Sequence, residues 1–114
     1  VKQERLQQGL KKAIDVPLTT MKLADAAWDA MIGIAEHGNI ASKSDIEVGA
    51  KAMETGIWGA YKNVMINLTD ITDENFKHQT IKLAEDMKTR AEQQFKRVVQ
   101  VLEERPQSTP QVVL

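Results

Sequence analysis

Apolar side chains recur every three or four residues from the start of the chain. Leu6, Leu10, Ile14, Pro17, Met21, Ala24, Trp28, Met31 and Ala35 fall on one stripe, the spacing of a helix buried along one face. The stripe keeps its phase across Pro17. Proline removes a backbone hydrogen bond and crowds the preceding turn, so the reading is one helix kinked at that residue. Gly38, between His37 and Asn39, is expected to close it in the left-handed conformation.

A second helix is announced by Ser44-Asp45-Ile46-Glu47, which reads as a capping box with Asp45 at the positive end of the helix dipole. From Ile46 to Leu68 the sequence is apolar on most of its circumference, with Gly49, Ala52, Gly56, Gly59, Ala60 and Asn63 forming a strip of small residues. A glycine inside a helix costs about 1 kcal/mol relative to alanine. Three of them predict close approach by another helix or by a flat ligand. The segment is therefore expected to be an enclosed central rod.

The turn Thr69-Asp70-Ile71-Thr72-Asp73 leads into a last helix whose stripe is Phe76, Leu83, Met87, Ala91, Phe95, Val98 and Leu102. Asp86 with Arg90 and Glu92 with Lys96 stand at the spacing of intrahelical ion pairs. From Asp73 to Glu104 this helix would be about 45 Å long, more than the roughly 30 Å width of a small domain. It is expected to lean on something else. Pro106 stops it, and residues 105–114 read as a flexible tail. The fold class is all-α: a helical bundle with long antiparallel helices over 1–104, forming half of a larger helical domain.

A chain of 114 residues suits a single domain. The 15 basic and 16 acidic residues leave a net charge of -1, too little to draw the chain to nucleic acid or an anionic membrane. The absence of cysteine excludes disulfide and thiolate chemistry and fits a cytoplasmic location. No apolar run is long enough to span a bilayer, and the opening residues lack the order of a signal peptide. The chain starts at Val1 inside a helical pattern, so upstream sequence is expected.

No metal site is expected, because His37 and His78 each lack a second strong ligand at helical spacing. Phosphate loops, nucleophile elbows and dinucleotide fingerprints do not occur. Asp25 and Asp29 are one turn apart and are expected to face water; Trp28 and Trp58 are expected in the core. What stands out is polarity on the central helix: Asn39, Ser42, Ser44 and Asp45 around its start, then Lys51, Asn63 and Asn67 along it. Amides on an apolar helix need partners. Asn63 and Asn67 either satisfy neighbouring backbone or read the polar edge of a ligand.

These residues also carry a family resemblance. Gly38-Asn39, Ser44-Asp45, Ala50-Lys51-Ala52, the run Gly59-Ala60-Tyr61-Lys62-Asn63-Val64-Met65-Ile66-Asn67-Leu68, Asp70 to Glu74 and Phe76 resemble the formiminotetrahydrofolate cyclodeaminase family. That is the cyclodeaminase domain of formimidoyltransferase-cyclodeaminases, shared with methenyltetrahydrofolate cyclohydrolases. The resemblance runs from Leu6 to Leu102. The family domain is nearly twice as long and carries a Pro-Gly-Gly-Gly-Ser-like element in its first half, which this sequence lacks. The resemblance thus implies the C-terminal half of that domain, inactive alone and active when reunited with the N-terminal half in a homodimer or larger homo-oligomer.

The activity so implied is a lyase step of folate one-carbon metabolism and histidine catabolism: cyclodeamination of 5-formimidoyltetrahydrofolate to 5,10-methenyltetrahydrofolate with release of ammonia. The substrate is the tetrahydrofolate derivative itself, and no prosthetic group is implied. Asp45 would carry the proton from N10 to the departing amine. Asn63 and Asn67 would bind pterin or linker amides, Asn39 and Ser44 would line the site, and Lys51 would meet a substrate carboxylate or pair with Glu47. Lys62 stands where relatives often carry an apolar residue. Two other readings remain: a methenyltetrahydrofolate cyclohydrolase, and a non-catalytic helical oligomerisation module.

Overall fold

The computed structural model describes residues 1–106, and over these the hydrophobic stripes become four helices: α1 Lys2–Asp25, α2 Trp28–His37, α3 Lys43–Leu68 and α4 Glu74–Glu104. A 3₁₀ turn, Ile40–Ser42, leads into α3. No strand occurs among the described residues. Gln107 to Leu114, most of the expected flexible tail, lie outside the described residues.

Three sets of polar contacts fix how the rods lie. Gln7 near the start of α1 donates to the Asp70 carbonyl and accepts from the Thr72 amide, and Lys11 pairs with Asp73 at 2.9 Å. Farther along, Arg90 grips Asp25 with two hydrogen bonds of 2.7 and 3.0 Å. At the far end Arg105 donates to the Ala35 carbonyl at 2.9 Å, one of the carbonyls that a helix C-terminus leaves unpaired. α1 and α2 therefore run end to end beside α4 in the same direction, and α3 returns antiparallel to both. The length of α4, about 46 Å at 1.5 Å per residue, is matched by α1 and α2 together rather than by an unseen support.

The core fills the space between these rods. Ile14, Leu18 and Met21 of α1, Trp28 and Ala35 of α2, Ile57, Val64 and Leu68 of α3, and Met87, Val98 and Leu102 of α4 are all buried. Thr80 and Ala84 take the place expected for Leu83, which lies one position off the stripe and is partly exposed. Among the described residues no helix is long and apolar enough to cross a membrane.

Several local expectations are corrected. α1 continues through Pro17 as expected, but the single helix read as far as Ala35 is broken at Ala26 and Ala27, where the Ala27 amide bonds the Ala24 carbonyl in a tighter turn. The reason is tertiary: α1 packs mainly on α3 and α2 mainly on α4, so the chain changes partner there, just after the Arg90 clamp on Asp25. That aspartate is correspondingly not a water-facing acid. Its carboxylate raises the Arg90 guanidinium above its usual range by hydrogen bonding. Gly38 is extended (φ -68°, ψ 170°) rather than left-handed. Its lack of a side chain matters for space, since a Cβ would stand 2.5 Å from the Ile34 carbonyl oxygen.

The turn before α4 offers a test of pH dependence. Asp73 caps α4 by accepting from the Phe76 amide and also holds Lys11. The backbone hydrogen bond from Phe76 first, and the Lys11 ammonium second, lower its pKa below the ordinary value of 3.8. A lowered folded-state pKa gives stability that is present above the unfolded value and is lost as pH falls through the folded one. Asp73→Asn keeps a capping oxygen but no charge. We expect it to flatten the stability profile below pH 3.8, and Asp73→Ala to lower the melting temperature further at neutral pH. A thermal melt series from acid to neutral reads both.

Candidate functional site

The sequence-predicted site residues all lie on or beside α3, but the helix separates them. Asn39 precedes the 3₁₀ turn and uses its Oδ1 to accept from the Ala41 amide at 3.0 Å. Ser42 stands at the N-terminal boundary of α3 and makes no side-chain cap. Ser44 lies inside the first turn, so the expected capping box does not form: the 3₁₀ turn moves the helix start two residues upstream of it. Asp45, in the same turn, is exposed, with its carboxylate at the positive end of a 26-residue helix.

Eighteen residues farther on, Asn63 lies on the same face as Asp45, five helical turns and about 27 Å away. It is exposed, and its carbonyl accepts a 2.8 Å hydrogen bond from the Asn67 side chain. The expectation of two buried amides is corrected accordingly. Asn67 is half-buried and satisfies backbone, the first of its two readings. α3 is covered on the sides facing α1 and α4, but two neighbouring rods cannot cover a helix that is apolar on three sides. The third flank, carrying Val48, Ala52, Gly56, Asn63 and Ile66, stays open, while Ala60 of the small-residue strip is buried in the core.

The glycines sharpen this point. A Cβ built on Gly56 or Gly59 meets nothing within 4 Å, and one on Gly49 meets the Met31 methyl at an unstrained 3.8 Å. Packing among the described residues gives no reason for glycine at 56 and 59. Gly56→Ala is therefore expected to stabilise this chain by about 1 kcal/mol, measured by chemical denaturation, while weakening any partner that seats on the strip.

Lys51 points elsewhere. Its ammonium binds Glu54 at 2.6 Å, not Glu47, and lies 4.7 Å from the centre of the Phe95 ring. It lines a groove of about 350 Å³ between α3 and α4 with Glu54, Thr55, Trp58, Lys88 and Glu92. Trp58, expected in the core, is 51 % exposed on this groove, and Lys88 pairs with Glu92 while sitting over Tyr61. The pairs expected on α4 are thus replaced by Lys82 with Asp86, Lys88 with Glu92 and Arg90 with Asp25. The sequence signal for this groove was a tryptophan one position beyond buried Ile57. Five residues separate Trp58 from Asn63, about 140° of helix rotation, so the groove and the open strip occupy different flanks. Among the described residues no group of three potential metal-binding side chains occurs.

What these elements offer chemically is an exposed carboxylate at a helix start, amides five turns away, and an apolar flank able to receive more polypeptide. Comparison with known proteins finds relatives of the chain. A family model described as Formiminotransferase-cyclodeaminase matches residues 1–86. The chain is 44% identical over 100 residues to a formimidoyltransferase-cyclodeaminase of Dictyostelium discoideum, covering 88% of this chain and 19% of that protein. The Gallus gallus formimidoyltransferase-cyclodeaminase is 46% identical over 100 residues, covering 88% of this chain and 18% of the relative. More distantly, it is 30% identical over 83 residues to a methenyltetrahydrofolate cyclohydrolase of Methylorubrum extorquens, covering 73% of this chain and 40% of that protein. It spans about a fifth of the length of the formimidoyltransferase-cyclodeaminases it matches.

Proposed function

Because this chain belongs to the formiminotransferase-cyclodeaminase family, we propose that residues 1–104 are the C-terminal half of a cytoplasmic, homo-oligomeric folate cyclodeaminase that acts in histidine degradation. Family membership carries the reading, and the open flank of α3 supports the need for a second half. The N-terminal half of the same domain covers the strip of Gly56, Gly59 and Asn63, and without it the chain is inactive.

The reaction needs a carrier for one proton. N10 of the reduced folate attacks the formimidinium carbon, forming the new C–N bond as the C=N electron pair moves to the exocyclic nitrogen. Asp45 accepts the proton from N10 and returns it to that nitrogen. Ammonia then departs with the electron pair of its own C–N bond, leaving the methenyl cation. A carboxylate exposed at a helix start suits this double role, since it reaches solvent and ligand alike. Asn39 and Ser44 stand beside it.

The 27 Å between Asp45 and Asn63 means that the two do not meet around one reacting carbon. In this reading Asn63 binds a remote part of the substrate, backed by the Asn67 side chain that donates to its carbonyl, while Lys51 keeps its pairing with Glu54 in the separate groove. The likeness to a methenyltetrahydrofolate cyclohydrolase keeps a second reading, in which water attacks the methenyl carbon of the same ring system.

The test joins the chain to the upstream half of the family domain. Release of ammonia from 5-formimidoyltetrahydrofolate is expected, against little hydrolysis of the methenyl compound. Hydrolysis without ammonia release would favour the cyclohydrolase reading. Neither reaction, together with no effect of reduced folate on melting temperature or on Trp58 fluorescence, would leave only a non-catalytic helical module.

A further inference from the structure

α3 begins without the side-chain cap that helix starts commonly use. Ser42 stands at its N-terminal boundary, and its side chain makes no capping hydrogen bond. The first-turn amides of a helix have no partner inside the helix, and an uncapped turn opens more readily than the rest. Asp45, the proton carrier of the proposed reaction, lies in that turn. Ile46, one residue beyond it, is the first side chain of α3 to be buried, so Lys43 to Asp45 depend for their position on what precedes them.

What precedes them is a connection with little freedom of its own. The Gly38 amide donates to the Ile34 carbonyl at 2.7 Å, and the Ser42 amide to the Asn39 carbonyl at 2.9 Å. Asn39 Oδ1 accepts from the Ala41 amide at 3.0 Å, and the Lys43 amide donates to the Ile40 carbonyl. These closed turns follow directly on one another from Ile34 to Lys43. Nor is there slack at Gly38, where an added Cβ would collide with the Ile34 carbonyl oxygen.

Arg105 ties this connection to the far end of α4. It is half-buried just past that helix, and its Nη1 donates to the Ala35 carbonyl at 2.9 Å. Ala35 is fully buried, and Asn39, four positions on, lies outside α2, so this carbonyl has no helical donor. A hydrogen bond from a charged donor to a carbonyl screened from water is among the stronger kinds. It joins residues 70 positions apart, where α2 hands over to the turns that lead to Asp45.

We propose that Arg105 is a positioning residue for Asp45: by holding the Ala35 carbonyl it fixes the α2–α3 connection, and with it the uncapped first turn that carries the carboxylate. The proposal rests on the reading of Asp45 as proton carrier.

The test uses the chain joined to the upstream half of the family domain, with turnover read as ammonia release from 5-formimidoyltetrahydrofolate well below the melting temperature. Arg105→Ala should lower kcat roughly 10-fold, within the range for a small misplacement of a reacting group, with KM and helicity unchanged. Arg105→Lys, which keeps a long stem and an N–H donor, should recover most of the rate. Gly38→Ala, which disturbs the connection from within, should lower kcat in the same way with Arg105 intact. The deciding measurement adds Arg105→Ala to Asp45→Asn: turnover should fall no further, while the melting temperature drops as much as it does in the parent. A residue that only held the fold together would lower turnover by the same factor in both backgrounds. Unchanged kcat in Arg105→Ala, an equal further loss in Asp45→Asn, or no rescue by lysine overturns the proposal. Full turnover in Asp45→Asn itself would remove the proton carrier and the proposal with it, whereas a slow Asp45→Asn beside a fully active Arg105→Ala removes only the role of Arg105.

Discussion

Trp28→Ala is expected to lower the melting temperature of the chain by roughly 15–25 °C, the effect of losing about 3–5 kcal/mol from a core of this size. Trp28 opens α2 just after the break at Ala26 and Ala27, and is 1 % exposed. It fixes α2 against α4 at the point where the chain leaves α3 for its new partner. Its indole Nε1 is buried and finds no hydrogen-bond partner among the described residues, so the ring acts through its bulk. Trp28→Phe should therefore cost far less, about 1–2 kcal/mol, since it removes part of the volume together with an unsatisfied donor. Thermal melts of the two variants separate the contributions. Equal losses for phenylalanine and alanine would mean that the indole nitrogen, and not its packing, holds the site.

Much of the fold was readable because buried helices leave a periodic record. Ile14, Met21, Trp28 and Ala35 lie on the expected stripe and in the observed core, and Asp73 begins α4 as its turn residues imply. Failures occurred where tertiary contact decides between local options. Ala26-Ala27 carries no breaking signal, yet α1 ends there. Arg90 has an acid at helical spacing in Asp86, yet it binds Asp25 on another helix with two hydrogen bonds at once, the strong bidentate arrangement of a guanidinium and a carboxylate. Lys51 likewise prefers Glu54, with its ammonium over the Phe95 ring, to Glu47.

The candidate site was readable as a set of residue types and not as a place. Gly56, Gly59, Asn63 and Asn67 read as a polar and small-residue strip made for close approach on an enclosed helix, whereas a Cβ on Gly56 or Gly59 meets nothing within 4 Å and Asn63 is exposed. A sequence shows that a helix is apolar all round; which flank its neighbours leave uncovered depends on how many rods surround it. Leu6 shows the same limit, since the periodicity puts it on the buried stripe and it is 54 % exposed.

Asp45→Asn, in the chain joined to its upstream half, is expected to reduce ammonia release by 10²- to 10⁴-fold, the usual contribution of a positioned proton carrier, while affinity for the reduced folate changes little. The variant keeps the size and the acceptor oxygen of the side chain and removes its ability to take up a proton from N10. A role confined to the first turn of α3 predicts something else. Losing a charge at the helix start would shift the melting temperature slightly, through the dipole, and leave turnover near its original rate. Asp45→Glu sharpens the contrast, since a displaced carboxylate should recover part of the rate and an amide none. Single-turnover measurements at saturating substrate read the chemical step directly. Full activity in the asparagine variant would remove Asp45 from the chemistry while leaving family membership intact, and the proton carrier would then have to come from the N-terminal half that covers the open flank of α3.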